Sequence, residues 1–251
     1  MKIAVCVKAV PASGARLDPA SKRLDRSGDL TLSEYDTHAL EEGLRLREAA
    51  GGGEVVVVSM GPERAADALR KALAMGADRA VLVCDPALAG ADVLATSKAL
   101  AGALALEAAD VVLFGQQSAD GNGACLWAAV AERLRLPVIS QAAELIVAGG
   151  TATGKRQTEA GYETIRAPLP AVVAVSEAIN EPRYPSLKGI MGAKAKPQEV
   201  RSAADIGGAV PSATTVLGVG SPPPRAANKR IEDDGNAAES IVDFLVERHL
   251  L

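Results

Sequence analysis

Short valine-rich runs recur along the chain: KIAVCV at 2–7, EVVVVS at 54–59, RAVLV at 79–83, ADVVLFG at 109–115 and LPAVVAVS at 169–176. Each is too short for a stable helix and apolar on both faces, as expected of strands buried from both sides in a parallel sheet. Between them lie helical patterns. DTHALEEGLRLREA (36–49) places Ala39, Leu40, Leu44 and Leu46 at helical spacing, with Glu41 and Arg45 one turn apart and Asp36 as the expected cap. Pro62 opens a second helix that runs to Met75, and ADVLATSKALAGALALEA (91–108) is a third. Strands alternating with amphipathic helices predict right-handed crossovers and a mainly parallel α/β sheet with helices on both faces.

The pattern changes near residue 140. A helix over 123–136 is followed by short strands at 141–147, 152–157 and 162–167, an antiparallel excursion before the chain returns to the sheet at 169–176. Residues 12–34 read as a surface loop with room for a short hairpin, 211–225 as irregular, and 238–250 as a closing amphipathic helix. The organisation expected is a domain over 1–200 and a C-terminal arm over 201–251. That arm has too little core of its own and either packs on its own domain or wraps a partner subunit. With aromatics at 2%, the core must be built from Ala, Val, Leu and Ile.

A net charge of -4 removes the electrostatic basis for tracking nucleic-acid phosphates. Cys6, Cys84 and Cys125 have no CxxC spacing, which argues against a disulfide scaffold or a structural zinc site and for a reducing, cytoplasmic setting. MKIAVCVKAVP reads as a first strand, not a secretory leader, and no run of about 18 apolar residues offers a membrane span. Catalytic constellations are poor. His38 and His249 have no nucleophile or metal set around them, Asp233 and Asp234 read as solvated surface, and Cys125, near a helix start, has no neighbouring base.

Two stretches do call for an explanation. GQQSADGNGAC (115–125) follows a strand and precedes a helix, where Gly121 and Gly123 permit close backbone approach and helix-start amides can hold phosphate. An ordinary Gly/Asn/Asp turn with a helix cap explains it equally well. Ser59, Met60, Gly61 and Asp36 can face the same crevice. INEPRYPSLKGIMGAKAKP (179–197) stiffens Tyr184 between Pro182 and Pro185, then sets Leu187, Ile190 and Met191 among Lys188, Lys194 and Lys196. It suits either a protein contact or a buried crossover with solvated lysines.

VCVKAVP at 5–11, YDTHALEEGLRLRE at 35–48, VVVVSMGP at 55–62, ALAMGADRAVLV at 72–83, LPAVVAVSEAINEPRYPSLKGIMGAKAKP at 169–197 and SPPPR at 221–225 together closely resemble the β subunit of electron transfer flavoproteins, including its nitrogen-fixation-associated homologues. The resemblance covers nearly the whole chain. It implies a Rossmann-like fold of the adenine nucleotide alpha hydrolase kind, an α subunit carrying the redox FAD, and a structural AMP in this chain. Family positions for the nucleotide fall on Cys6, on Ser33, Glu34, Tyr35 and Asp36, on Met60, and on Gly115, Gln116, Gln117, Ser118, Ala119, Asp120, Gly121, Asn122, Gly123, Ala124, Cys125 and Leu126. The segment 179–191 resembles the family's recognition loop, with Leu187 as anchor and Tyr184, Ile190 and Met191 beside it.

By that resemblance the heterodimer takes electrons from a flavin dehydrogenase, such as an acyl-CoA dehydrogenase, and passes them to a membrane quinone oxidoreductase or another acceptor; charge and hydropathy add the expectation of neither nucleic-acid binding nor membrane insertion. The chain departs from the family pattern at Cys125, Leu126 and Trp127, where polar or small residues are usual. It also has Gln157 where an acidic residue would meet an α-subunit arginine, which leaves Glu159 and Glu163 as candidate replacements. The alternatives are a bifurcating β subunit with a second FAD and NADH chemistry, or a stand-alone nucleotide-binding domain of the universal-stress type.

Overall fold

The computed structural model describes every residue except 15, 221–222, 224–229, 231 and 234. Thus Asp234, and SPPPR at 221–225 apart from Pro223, lie outside the described residues. The chain divides into two compact units, Met1–Leu217 and Gly218–Leu251. Among its described residues the second holds one helix, Ala237–Glu247.

In chain order, the first unit begins with strand β1 (Lys2–Cys6), followed by β2 (Ala9–Pro11), β3 (Leu17–Asp18), β4 (Arg23–Leu24), β5 (Leu30–Leu32) and helix α1 (Glu34–Ala49). Next come β6 (Glu54–Met60), α2 (Ala65–Met75), β7 (Arg79–Val83), α3 (Val93–Glu107), β8 (Val111–Gly115) and α4 (Leu126–Leu134). The remaining elements are β9 (Val138–Ala148), β10 (Thr151–Thr158), β11 (Gly161–Pro168), β12 (Ala171–Val175), α5 (Leu187–Ala193) and β13 (Gln198–Arg201). The nine-stranded sheet has the order β11-β10-β9-β12-β8-β1-β6-β7-β13. Every pairing from β9 to β13 is parallel, and β9-β10-β11 is the antiparallel excursion.

The valine-rich strands are central and buried because their two faces supply two separate cores. Ile3 and Val5 of β1 join Val55 and Val57 of β6 under α1 and α2, while Ala4, Cys6, Val56 and Val58 face α3 and α4. The stretch 12–34 folds into the antiparallel pair β3-β4 and the strand β5, which pairs with β2 ahead of it.

Several sequence expectations are corrected. Asn122 and Ala124 both take positive φ, so the backbone cannot enter a helix at 123 and α4 begins only at Leu126. The strand expected from 141 starts at Val138 and carries a register shift near Gln141, itself at positive φ. Ser33, not Asp36, occupies the cap position of α1, and the Asp36 carboxylate turns away to accept the Lys8 amide at 2.7 Å. The sequence carries no strand signal at β13, whose QEVR is exposed over Gln198 to Val200 and buried only at Arg201, yet it pairs with β7 at the edge of the sheet.

That edge is held by one carboxylate. Glu107, its side chain 1% exposed at the end of α3, receives Lys2 at 3.2 Å, Arg201 at 2.7 Å and Arg79. Burial opposes its ionisation, but hydrogen bonds from Arg79, Arg201 and Lys2 hold its pKa down at about 2. The depressed pKa contributes stability present above the unfolded carboxyl range and lost as pH falls through 2. Glu107→Gln should therefore cost about 3 kcal/mol in urea unfolding at pH 7. The gap from the parent should narrow as pH falls below 4.5.

Candidate functional site

The chain leaving β1 enters α1 on one face of the sheet, whereas the chain leaving β8 enters α4 on the other. β1 and β8 are adjacent, so a crevice opens between them at their carboxyl ends, where open α/β sheets bind ligands. The residues expected for the nucleotide converge there from four segments: Cys6 ends β1, Met60 ends β6, Ser33 to Asp36 start α1, and Gly115 to Leu126 link β8 to α4.

Gly115 is required by close packing, because a Cβ there would lie 2.6 Å from the Tyr35 carbonyl carbon and 2.7 Å from an Asp36 oxygen. Ser33 is fully buried, and its hydroxyl accepts the Ala119 amide at 3.2 Å, tying the start of α1 to the loop. Beyond that tie the backbone is open. Ala119 and Gly121 to Cys125 are exposed. Asn122 donates to the Ser118 carbonyl at 2.9 Å, and among the described residues no acceptor engages the amides of Gly123, Ala124 or Cys125. Ser59, next to Met60 at the end of β6, is buried with its hydroxyl unpartnered.

The charges are arranged in two layers. Asp120 receives Lys8 at 2.7 Å and Arg26 of the loop between β4 and β5, and Lys8 also reaches Ser118 at 3.3 Å. Although burial opposes it, the hydrogen bond and charge of Lys8, with Ser118 and Arg26, keep the Asp120 carboxyl below the usual range. Beneath lies Asp36. Burial pushes its pKa up to about 7, against the Lys8 and Gly115 amides and the Lys8 charge, which favour the ionised form. Burial, with Asp36 beside it, also pushes the Cys6 thiol well up, leaving Cys6 as a packing residue.

The bulky departures from the family pattern turn out to face inward. Trp127 and Leu126 pack on the α3/α4 core, and the indole donates to the Gln116 carbonyl at 3.1 Å. Trp127 therefore braces the loop from behind. Glu34 is exposed and Tyr35 and Gln117 are half-buried at the crevice. Cys125 is an exposed free thiol at the cap position of α4 and makes no capping bond. On the antiparallel excursion Gln157 lies opposite Tyr162, and Glu163 is taken by its cross-strand neighbour Arg156 at 3.1 Å. Glu159, in the exposed turn, has no such partner among the described residues.

The second region is α5. Tyr184 is 93% exposed, Leu187 82% and Met191 79%, with Ile190 also exposed. These side chains point away from the body while Ala193 is buried and the helix rests on α2. Residues near α5 that sequence reading passed over are Arg183 and Asn180, both bound to α1. Their partners lie about 140 residues away in sequence, beyond any local pattern.

This architecture defines a Rossmann-like α/β subunit with an open amide loop at its topological switch point. An electron transfer flavoprotein domain model matches residues 22–206. The chain is 41% identical to the electron transfer flavoprotein subunit beta of Mycobacterium tuberculosis over 99% of both chains, and 42% identical to that of Mycobacterium leprae over the same share. It is also 37% identical to a caffeyl-CoA reductase-Etf complex subunit, CarD, of Acetobacterium woodii over 100% of both. The chain belongs to the electron transfer flavoprotein β-subunit family, which sets aside the stand-alone universal-stress reading. Membership makes it the partner of an α subunit in a flavin-associated electron carrier. Among the described residues, no helix is long and apolar enough to cross a membrane, and no cluster of His, Cys, Asp or Glu could hold a metal ion.

The site yields a pH test. Because the folded pKa of Asp36 is raised, its contribution to stability is fully present below the unfolded pKa and is lost as pH rises through about 7. Unfolding free energy should fall by about 1.4 kcal/mol between pH 6 and pH 8 on this account. Asp36→Asn should flatten that slope in denaturant titrations at both pH values.

Proposed function

We propose that this chain binds AMP in the β1/β8 crevice and, with an FAD-bearing α subunit, accepts electrons from a flavin dehydrogenase and passes them to a quinone oxidoreductase or another acceptor. The observation that carries the nucleotide reading is the exposed run Gly123 to Cys125, whose unengaged amides lie at the start of α4. The orphaned Ser59 hydroxyl supports it as a further polar group in want of a partner. Lys8 and Arg26 are both bound to Asp120, so the loop offers amides more than free cations, a set suited to one phosphate rather than two.

In the heterodimer the flavin supplies the redox chemistry and AMP supplies none. The work of this chain is then positional. Ser33 and Asp120 hold the loop in register, Trp127 braces it, and Tyr184, Leu187, Ile190 and Met191 present an apolar face flanked by Lys188 and Lys194 for docking the dehydrogenase. Acyl-CoA dehydrogenases are the proposed donors, the cytoplasm the proposed location, and residues 201–251 the arm that meets the α subunit. No substrate bond is broken in this chain. Glu159 is the carboxylate left available for the arginine-pairing role lost at Gln157.

The relative named for a caffeyl-CoA reductase-Etf complex supports a second reading, a bifurcating β subunit with its own FAD and NADH chemistry. Denaturing the purified heterodimer and quantifying released nucleotides separates them. One FAD and one AMP per heterodimer are expected; two FAD would establish the second reading, and a nucleotide-hydrolysing monomer without a flavin partner would overturn both. Leu187→Ala should leave heterodimer and FAD content intact while slowing electron transfer from the dehydrogenase at subsaturating concentration. Unchanged rates there would reject α5 as the docking element.

A further inference from the structure

A helix of seven residues does not hold itself together in water, yet α5 presents most of its large side chains to solvent. Its order must come from attachments on the inner side and at its ends. At the inner side Gly189 lies so close to the Ala74 carbonyl of α2 that a Cβ could not be accommodated. At the far end the Lys196 amine donates to the Leu73 and Ala77 carbonyls at 2.9 and 2.6 Å, closing the last turn of α2. At the near end Ser186 caps the Gly189 amide at 3.0 Å, and the chain before it is tied to α1.

That tie is dense. The Arg183 amide and Nε both donate to Glu41 Oε2, at 3.1 and 2.7 Å, and Nη2 donates to Glu41 Oε1 at 3.0 Å. The same guanidinium reaches Glu48, two turns further along the same face of α1, Nη1 to Oε1 at 2.7 Å. The Glu41 side chain is 5% exposed against 36% for Arg183, so this bidentate pair is partly shielded from solvent, while Glu48 at 51% is an exposed second partner. Asn180 adds bonds from Nδ2 to the His38 carbonyl at 3.1 Å and to Glu42 at 3.0 Å. None of these groups belongs to the apolar face that α5 displays.

We propose that Arg183 is a positioning residue for docking: by clamping the approach to α5 onto Glu41 and Glu48, it keeps α5 ordered in the free heterodimer, so that a partner meets a preformed helix. The inference rests on the docking reading of α5 given above. Its physical content is that ordering a short segment at the moment of binding would subtract from affinity, and the clamp removes that cost beforehand.

The test uses the FAD-loaded heterodimer carrying Arg183→Gln, Arg183→Lys or Leu187→Ala. Its probe is an acyl-CoA dehydrogenase from the same cells, reduced by butyryl-CoA. Amide hydrogen exchange over 184–194 should speed up about tenfold in Arg183→Gln and change little in Leu187→Ala. KM for the reduced dehydrogenase should rise about fivefold or more in Arg183→Gln with kcat within about twofold, since docking and not the flavin is affected. Arg183→Lys keeps the charge without the fork and should fall between; it also stands in if the glutamine variant fails to fold.

Unchanged exchange in both Arg183 variants would overturn the clamp. Faster exchange with an unchanged KM, while Leu187→Ala raises KM, would overturn the claim that ordering matters for docking. If Leu187→Ala leaves KM unchanged, the docking reading falls and takes the docking half of this inference with it, and exchange alone decides whether Arg183 orders α5.

Discussion

Parallel pairing of β1 with β6 and with β8, buried from both sides, is the constraint on which everything else in the molecule depends. A strand with no solvent face needs helices above and below. The crossovers that supply them send α1 and α2 to one side and α3 and α4 to the other. The connections that leave parallel β1 and β8 for opposite faces of the sheet are what leave a crevice at their carboxyl ends. The site is thus a consequence of how the core is covered, before any particular ligand is considered.

Helix α1 transmits that constraint to both functional regions. It lies against the sheet at Gly43, where an added Cβ would touch Val5 at 3.0 Å, so the helix has little freedom to shift. Its cap Ser33 and first-turn Asp36 meet the loop between β8 and α4 and the Lys8 amide; its later residues, Glu41, Glu42 and Glu48, hold Asn180 and Arg183. One rigid element therefore sets the geometry of the loop between β8 and α4 and of the segment leading into α5. The polar side of α1 is committed to these contacts, which is why two of its glutamates are buried.

Much of the fold was legible because the signals that encode it are local: valine runs for central strands, helical spacing between them, and the loss of that spacing near residue 140. What escaped reading depends on contacts between distant residues or on backbone conformations that side-chain pattern does not report. The start of α4 is delayed by positive φ at Asn122 and Ala124, and β13 is a strand only because β7 offers it an edge. The site divides the same way. The 115–125 loop was visible in its glycines and its place after a strand, but the inward turn of Asp36, the packing of Trp127 behind the loop and the Arg183 clamp each require the assembled core.

The central claim is that the loop between β8 and α4 is a phosphate-binding surface held open by the core behind it. An experimental density map of the purified heterodimer tests this most directly. An adenine nucleotide is expected between β1 and β8, its phosphate on the amides of Gly123 to Cys125 and Trp127 behind the loop. A nucleotide lodged elsewhere on the β chain, or that loop collapsed with its amides bonded to protein, would contradict it.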